Sequence, residues 1–163
     1  MLIKSIKQLE VVIMTKTELI PFLSLNGQAN EAIAFYEKAL GAKVVFKKTL
    51  LEVQQMGAPI KLTPEIENQV SHSVLVLPTG GELMINDAPV DGAPFVSGNN
   101  QSICLQSTDK DQITTLYQGL VTNSDQVDII TPLTSNVFSP AYGIVKDPFG
   151  IVWQLTTSIH NDF

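Results

Sequence analysis

Apolar residues alternate with polar ones at a period of two in several short stretches and recur at helical spacing in two others. Leu19 to Leu25 reads as a strand, with Leu19, Pro21, Leu23 and Leu25 on one face and Ile20, Phe22 and Ser24 on the other. Asn26-Gly27 ends it. Asn30 is then placed as an N-cap, and Ile33, Tyr36 and Leu40 mark one face of a helix. Gly41 sits where a C-cap glycine belongs. Lys43 to Val53 reads as a strand, and residues 54–69, with Gly57, Pro59, Pro64 and no regular period, as a long loop. Val70 to Leu77 is a strand, Pro78 to Gly81 a turn, and Glu82 to Asn86 a further strand. The order is β-α-β-β-β.

A stretch rich in Pro, Gly and Asp follows, and then the order repeats. Ser102 to Ser107 is a strand and Asp109 a cap, with Ile113, Leu116 and Leu120 on the helix face. Val127 to Leu133, Tyr142 to Lys146 and Ile151 to Thr157 complete the second set. At an offset of 80 residues, Leu23, Leu25, Ile33, Tyr36 and Leu40 fall on Ile103, Leu105, Ile113, Leu116 and Leu120. At an offset of 70, Gly80 to Ile85 falls on Gly150 to Leu155. Repetition of this kind is a fold-level signal. It predicts an α+β protein in which two tandem βαβββ modules form a cupped mixed sheet with helices on the outside. Module 1 takes residues 18–87, a linker 88–99 and module 2 residues 100–158, with a tail at 159–163. Residues 1–17 read as an N-terminal extension, in which MLIKSIKQLEVVI lacks both a continuous apolar core and a small-residue cleavage site; Met14 would be a good start, and the competing reading is a genuine N-terminal helix or arm that packs on a neighbour.

Composition narrows the function classes. A net charge of −6 leaves no basic stripe for nucleic acid. All ten basic residues are Lys, so no Arg can clamp phosphate or carboxylate bidentately. The single cysteine, Cys104, permits no internal disulfide, which fits a reducing cytoplasm. No apolar run reaches the length of a membrane span. Two histidines, His72 and His160, cannot alone build a multi-histidine metal site.

The duplicated unit, N-E-A-I-A-F-Y-E-K-A-L-G in the first helix, Ser71-His72-Ser73, Leu83 to Ala88, and Tyr142-Gly143 followed by Asp147-Pro148-Phe149-Gly150 and Trp153-Gln154 together resemble the vicinal oxygen chelate superfamily over residues 18–158. That superfamily includes glyoxalases, extradiol dioxygenases and bleomycin-resistance proteins. The closer match is its PhnB-like branch, also called demethylubiquinone methyltransferase-like. The resemblance implies a homodimer and a ligand cup. It places the metal-ligand positions of metal-using members near Ile20, Met84, Ser102 and Gln154. Those side chains make a poor divalent-ion set, so no cofactor is expected and a tightly bound catalytic metal is disfavoured. No glycine-rich loop follows a strand to hold an adenosyl cofactor, which speaks against the methyltransferase label.

Alternation puts Ser73, Leu75 and Leu77 toward the helices and His72 toward the cup, where an imidazole can act as a base. His72 is the candidate catalytic residue, set against a bland reading as a capped structural histidine. Candidate ligand-binding residues are Phe22, Ser24, His72, Met84, Asn86, Ser102, Tyr142 and Gln154. Trp153 reads as core; Cys104, on the face of Ser102 and Gln106, reads as packing, with an exposed cavity thiol as the alternative. Two functions result: a small-organic-ligand binder without a tight metal, or an enzyme on a small carbonyl or vicinal-oxygen compound. The enzyme would be metal-dependent or would use His72.

Overall fold

The computed structural model describes residues 17–88 and 92–158. Module 1 comprises β1 (Phe22–Ser24), α1 (Ala29–Leu40), β2 (Lys43–Thr49), α2 (Leu50–Gln55), β3 (Val70–Val76) and β4 (Glu82–Asn86). Module 2 comprises β5 (Ile103–Ser107), α3 (Lys110–Thr122), β6 (Asp128–Thr134), β7 (Tyr142–Lys146) and β8 (Val152–Thr157). Each module folds into a four-stranded mixed sheet, ordered β1-β4-β3-β2 and β5-β8-β7-β6. The first strand of each pairs in parallel with the last, and the other neighbours are antiparallel. The expected α+β class and duplicated architecture are therefore present. Residues 1–16, 89–91 and 159–163, and with them Met14 and His160, lie outside the described residues.

The repeat is closest at the β3–β4 and β7–β8 turns. The Leu77 amide donates to the Gly81 carbonyl at 2.8 Å, and the Asp147 amide to the Ile151 carbonyl at 2.9 Å. Gly80 and Gly150 take φ of 94° and 84°, a region L side chains avoid. These turns make Met84 equivalent to Gln154. Met84 pairs with Phe22 and Gln154 with Cys104, so Phe22 corresponds to Cys104 and Ile20 to Ser102. The offset of the first strand is two residues longer than the sequence alignment gave. A shift of two keeps every side chain on its face, so alternation alone could not detect it.

The outer faces carry the core. Leu75, Leu83, Ile85, Val145, Trp153 and Leu155 are buried under α1 and α3. The helices meet where a Cβ on Gly119 would lie 2.0 Å from the Ala39 carbonyl oxygen. Ala39 and Gly119 occupy the same place in the two repeats, so the helices cross at equivalent points. Only glycine permits so close an approach.

Three local expectations change. The strand expected over Lys43–Val53 ends at Thr49, because Thr49-Leu50-Leu51-Glu52 is a capping box that starts α2. The Glu52 amide donates to Thr49 Oγ1 at 3.2 Å and the Thr49 amide to Glu52 Oε2 at 2.8 Å. Asn30 is not the N-cap of α1. The helix begins at Ala29, and its first amide donates to Asp87 Oδ1 at 2.8 Å, while Asp87 Oδ2 accepts from the Val70 amide at 2.6 Å. Asn30 instead accepts from Lys47 Nζ at 2.6 Å. The strand expected over Leu19–Leu25 shrinks to Phe22–Ser24, although Pro21 and Leu25 still bond to β4. Asp109 caps α3 as expected, accepting from the Asp111 amide at 2.8 Å, and Gly41 closes α1.

Candidate functional site

β1 and β5 are each an edge strand of their sheet, and both border one cavity of about 760 Å³. Its other walls are the 95–104 segment and the turn at Phe149 to Val152. The volume lies in the range of small-molecule sites. Phe22, Phe95, Val96 and Phe149 supply apolar surface, and Ser24, Ser97, Asn100, Gln101 and Ser102 are the hydroxyl- and amide-bearing residues of the lining. Among the described residues, every one that lines the cavity is uncharged.

The turn wall is fixed by a buried carboxylate. Asp147 Oδ1 accepts from the Phe149 and Ile151 amides, both at 2.9 Å. Its Oδ2 accepts from Trp153 Nε1 at 2.8 Å and from the Tyr36 hydroxyl at 2.6 Å. Burial pushes the Asp147 pKa above the usual carboxylate value, against the opposing pull of those hydrogen bonds. Burial, and next the Asp147 charge, push Tyr36 well above the usual phenol. Trp153 is core, as expected, with 1% exposure and its ring 5.5 Å from that of Tyr36. The D-P-F-G motif marked the turn, but nothing in the sequence marked Tyr36 as its partner from 111 residues away.

A polar relay crosses the inner face of the second sheet. The Tyr142 hydroxyl donates to Gln154 Oε1 at 2.9 Å, and Gln154 Nε2 donates to Ser102 Oγ at 2.7 Å. Ser102 lines the cavity, and Tyr142 and Gln154 connect to it through these bonds. On the first sheet the inner face is aromatic. The His72 ring lies 5.5 Å from Phe22 and 5.9 Å from Phe46, centroid to centroid. Among the described residues, none hydrogen-bonds the His72 imidazole. Met84 lies opposite Phe22, and Asn86 opposite Ser24. Asn86 is 9% exposed and its Oδ1 has no donor among the described residues.

Of the eight ligand residues expected from sequence, Phe22, Ser24 and Ser102 line the cavity. Gln154 and Tyr142 connect to it through Ser102; His72 and Met84 neighbour Phe22, and Asn86 pairs with Ser24 on the adjacent strand, without lining it. Of the two readings of Cys104, the exposed thiol is the one present, and the residue lines the cavity. Partial burial raises its pKa. Phe95 and Val96 were passed over as linker; two adjacent large apolar residues in a polar, Gly-rich stretch were the available signal.

A divalent metal does not fit the positions that the resemblance pointed to. Ile20 and Met84 offer no oxygen or nitrogen donor, and the Gln154 amide is engaged at both ends. Among the described residues, no three His, Cys, Asp or Glu side chains group as a metal site. No helix among them is long and apolar enough to cross a membrane.

The sequence profile of the glyoxalase/bleomycin resistance protein/dioxygenase superfamily matches residues 21–155. Protein YjdN of Escherichia coli (strain K12) is 24% identical over 145 residues, covering 83% of this chain and 91% of its own. The crystal structure of protein PA1353 from Pseudomonas aeruginosa superposes with a TM-score of 0.70 at 21% identity, covering 88% of this chain and 98% of that one. The PhnB protein from Bacillus cereus gives 0.64 at 26% identity, covering 87% and 100%. Duplicated βαβββ modules, shared turn geometry and a profile match across both modules lead to one conclusion: this chain belongs to the glyoxalase/bleomycin resistance protein/dioxygenase superfamily.

Proposed function

We propose that the protein binds a small organic ligand in the cavity between β1 and β5, without a tightly bound catalytic metal. One observation carries this reading: a cavity of about 760 Å³ combines apolar walls with a few hydroxyl and amide groups. Apolar surface supplies affinity there, and the few polar groups set orientation. The poor donor set at Ile20, Met84, Ser102 and Gln154 supports the metal-free part.

The competing reading, an enzyme with His72 as base, has less support. A base needs hydrogen-bond reach to its substrate proton and is commonly oriented by a third group. His72 packs between Phe22 and Phe46 and does not line the cavity.

We also read the chain as a homodimer in the cytoplasm. Phe46, Ile130 and Phe138 are 45%, 50% and 79% exposed, apolar surface that a second copy would cover. Sedimentation of the purified protein at micromolar concentration should give twice the chain mass.

The neutral fluorophore N-phenyl-1-naphthylamine tests the ligand site. Its emission should rise on binding, and Cys104→Phe, which fills the cavity from β5, should weaken binding at least about fivefold. Unchanged binding in a folded Cys104→Phe variant would move the site elsewhere. One tightly held Mn, Fe, Ni or Zn per chain would overturn the metal-free reading.

A further inference from the structure

We infer that the cavity selects neutral ligands that carry a carbonyl-type hydrogen-bond acceptor, and that Ser102 is the donor that reads it. The inference rests on the ligand-binding reading above and adds a chemical class to it.

Two observations combine. The first is the direction of the relay. Tyr142 donates to Gln154 Oε1, and Gln154 Nε2 donates to Ser102 Oγ. The Ser102 oxygen is therefore used as an acceptor. Its own proton has no acceptor among the described residues, and Ser102 is exposed and is one of the residues that line the cavity. A hydroxyl held in this way offers one donor, and a carbonyl oxygen is the matching ligand group. Gln154 and Tyr142 are not among the residues that line the cavity; they are positioning residues that hold Ser102 Oγ.

The second observation is charge. No Lys, Asp, Glu or His occurs among the described residues that line the cavity. A carboxylate or phosphate entering it would lose hydration without gaining a cation, and an ammonium would meet no anion. Neutral ketones, aldehydes, amides and quinones lose little on entry and gain the Ser102 bond. A hydrocarbon of the same shape gains the apolar contact only.

Three matched probes separate these cases: 2-acetonaphthone, 2-ethylnaphthalene and 2-naphthoate, each displacing N-phenyl-1-naphthylamine from the full chain. The ketone should bind about tenfold tighter than the hydrocarbon, the size of one well-placed hydrogen bond, and the carboxylate should bind weakest. Ser102→Ala should bring the ketone down to the hydrocarbon and leave the hydrocarbon unchanged. Tyr142→Phe frees the Gln154 amide to turn, so it should shrink the ketone-to-hydrocarbon ratio while the fluorophore still binds. A general loss of packing would lower all affinities together and leave that ratio intact. Equal binding of ketone and hydrocarbon, or a ketone preference that survives Ser102→Ala, would overturn the inference while the cavity reading stands. Tighter binding of 2-naphthoate than of the ketone would overturn the neutral-ligand part. Fluorophore binding that ignores Cys104→Phe would remove the cavity reading and this inference with it.

Discussion

The Tyr36 hydroxyl, on the helix of the first module, donates a 2.6 Å hydrogen bond to the Asp147 carboxylate in the last hairpin of the second. The same carboxylate oxygen takes the Trp153 indole proton, and its partner oxygen holds the turn that walls the cavity. Module association and cavity shape thus share one buried group. Asp147→Ala would leave the Tyr36 O–H and Trp153 N–H buried without an acceptor. It should destabilise the protein by about 3 kcal/mol, measured by urea denaturation, and change Trp153 emission. A loss below about 0.5 kcal/mol would show that the bonds are replaced by water.

Asp147 also sets a pH dependence of definite sign. Its folded pKa lies above the unfolded value, so in the window between the two the native state holds more protons. Its contribution to stability therefore falls as pH rises through that window, and is most favourable below it. Replacing it by Asn should remove this component, so the difference in stability between wild type and Asp147→Asn should grow on acidification from neutral pH. A difference that narrows on acidification would mean the carboxylate pKa is depressed.

Glycine at 119 is imposed by the neighbouring helix and not by its own backbone. Gly119→Ala puts a methyl group into the Ala39 carbonyl and forces α1 and α3 apart, with an expected cost of about 3 kcal/mol. In an isolated helix the same change would stabilise by up to about 1 kcal/mol, so the sign of the measured change distinguishes the two causes.

The capping box gives a smaller, local effect. Thr49→Ala should cost about 1 kcal/mol and raise amide exchange in α2 without touching ligand binding. Glu52 has its pKa lowered, first by the Thr49 backbone and then by Lys48, so its support for the cap is present above its unfolded pKa and fades as pH falls through the folded one.

His72 provides a further contrast. If its ring serves as packing between Phe22 and Phe46, His72→Ala should cost about 1 kcal/mol of stability and leave fluorophore affinity within about threefold. A tenfold or greater loss of affinity would place the imidazole at the ligand.

Alternation and helical spacing revealed most of the fold, because burying one face of a strand or helix imprints its period on the chain. Leu83, Ile85, Trp153 and Leu155 lie inside as that period requires. What escaped was set by other forces. A capping box ended β2 where apolar residues continued through Val53. Asp87, 58 residues away, took the place at the start of α1 that Asn30 was expected to fill. The β1 register depended on pairing with β4, which a two-residue shift leaves invisible to alternation. The site was half legible. Ser24, Phe22 and Ser102 could be placed by parity, whereas the relay from Tyr142 through Gln154 depends on side-chain direction across three strands. Parity places Cys104 on the face of Ser102 and Gln106, but whether that thiol is packed or exposed depends on what covers the edge strand, which alternation does not show.

A crystal structure grown with 2-acetonaphthone tests the neutral-ligand cavity between β1 and β5 and its donor Ser102. The naphthyl rings should lie between β1 and β5, against Phe22 and Phe149, with the ketone oxygen about 2.6–3.0 Å from Ser102 Oγ. Ligand density confined to the His72–Phe46 face, or in the cavity with its oxygen turned away from Ser102, would contradict it.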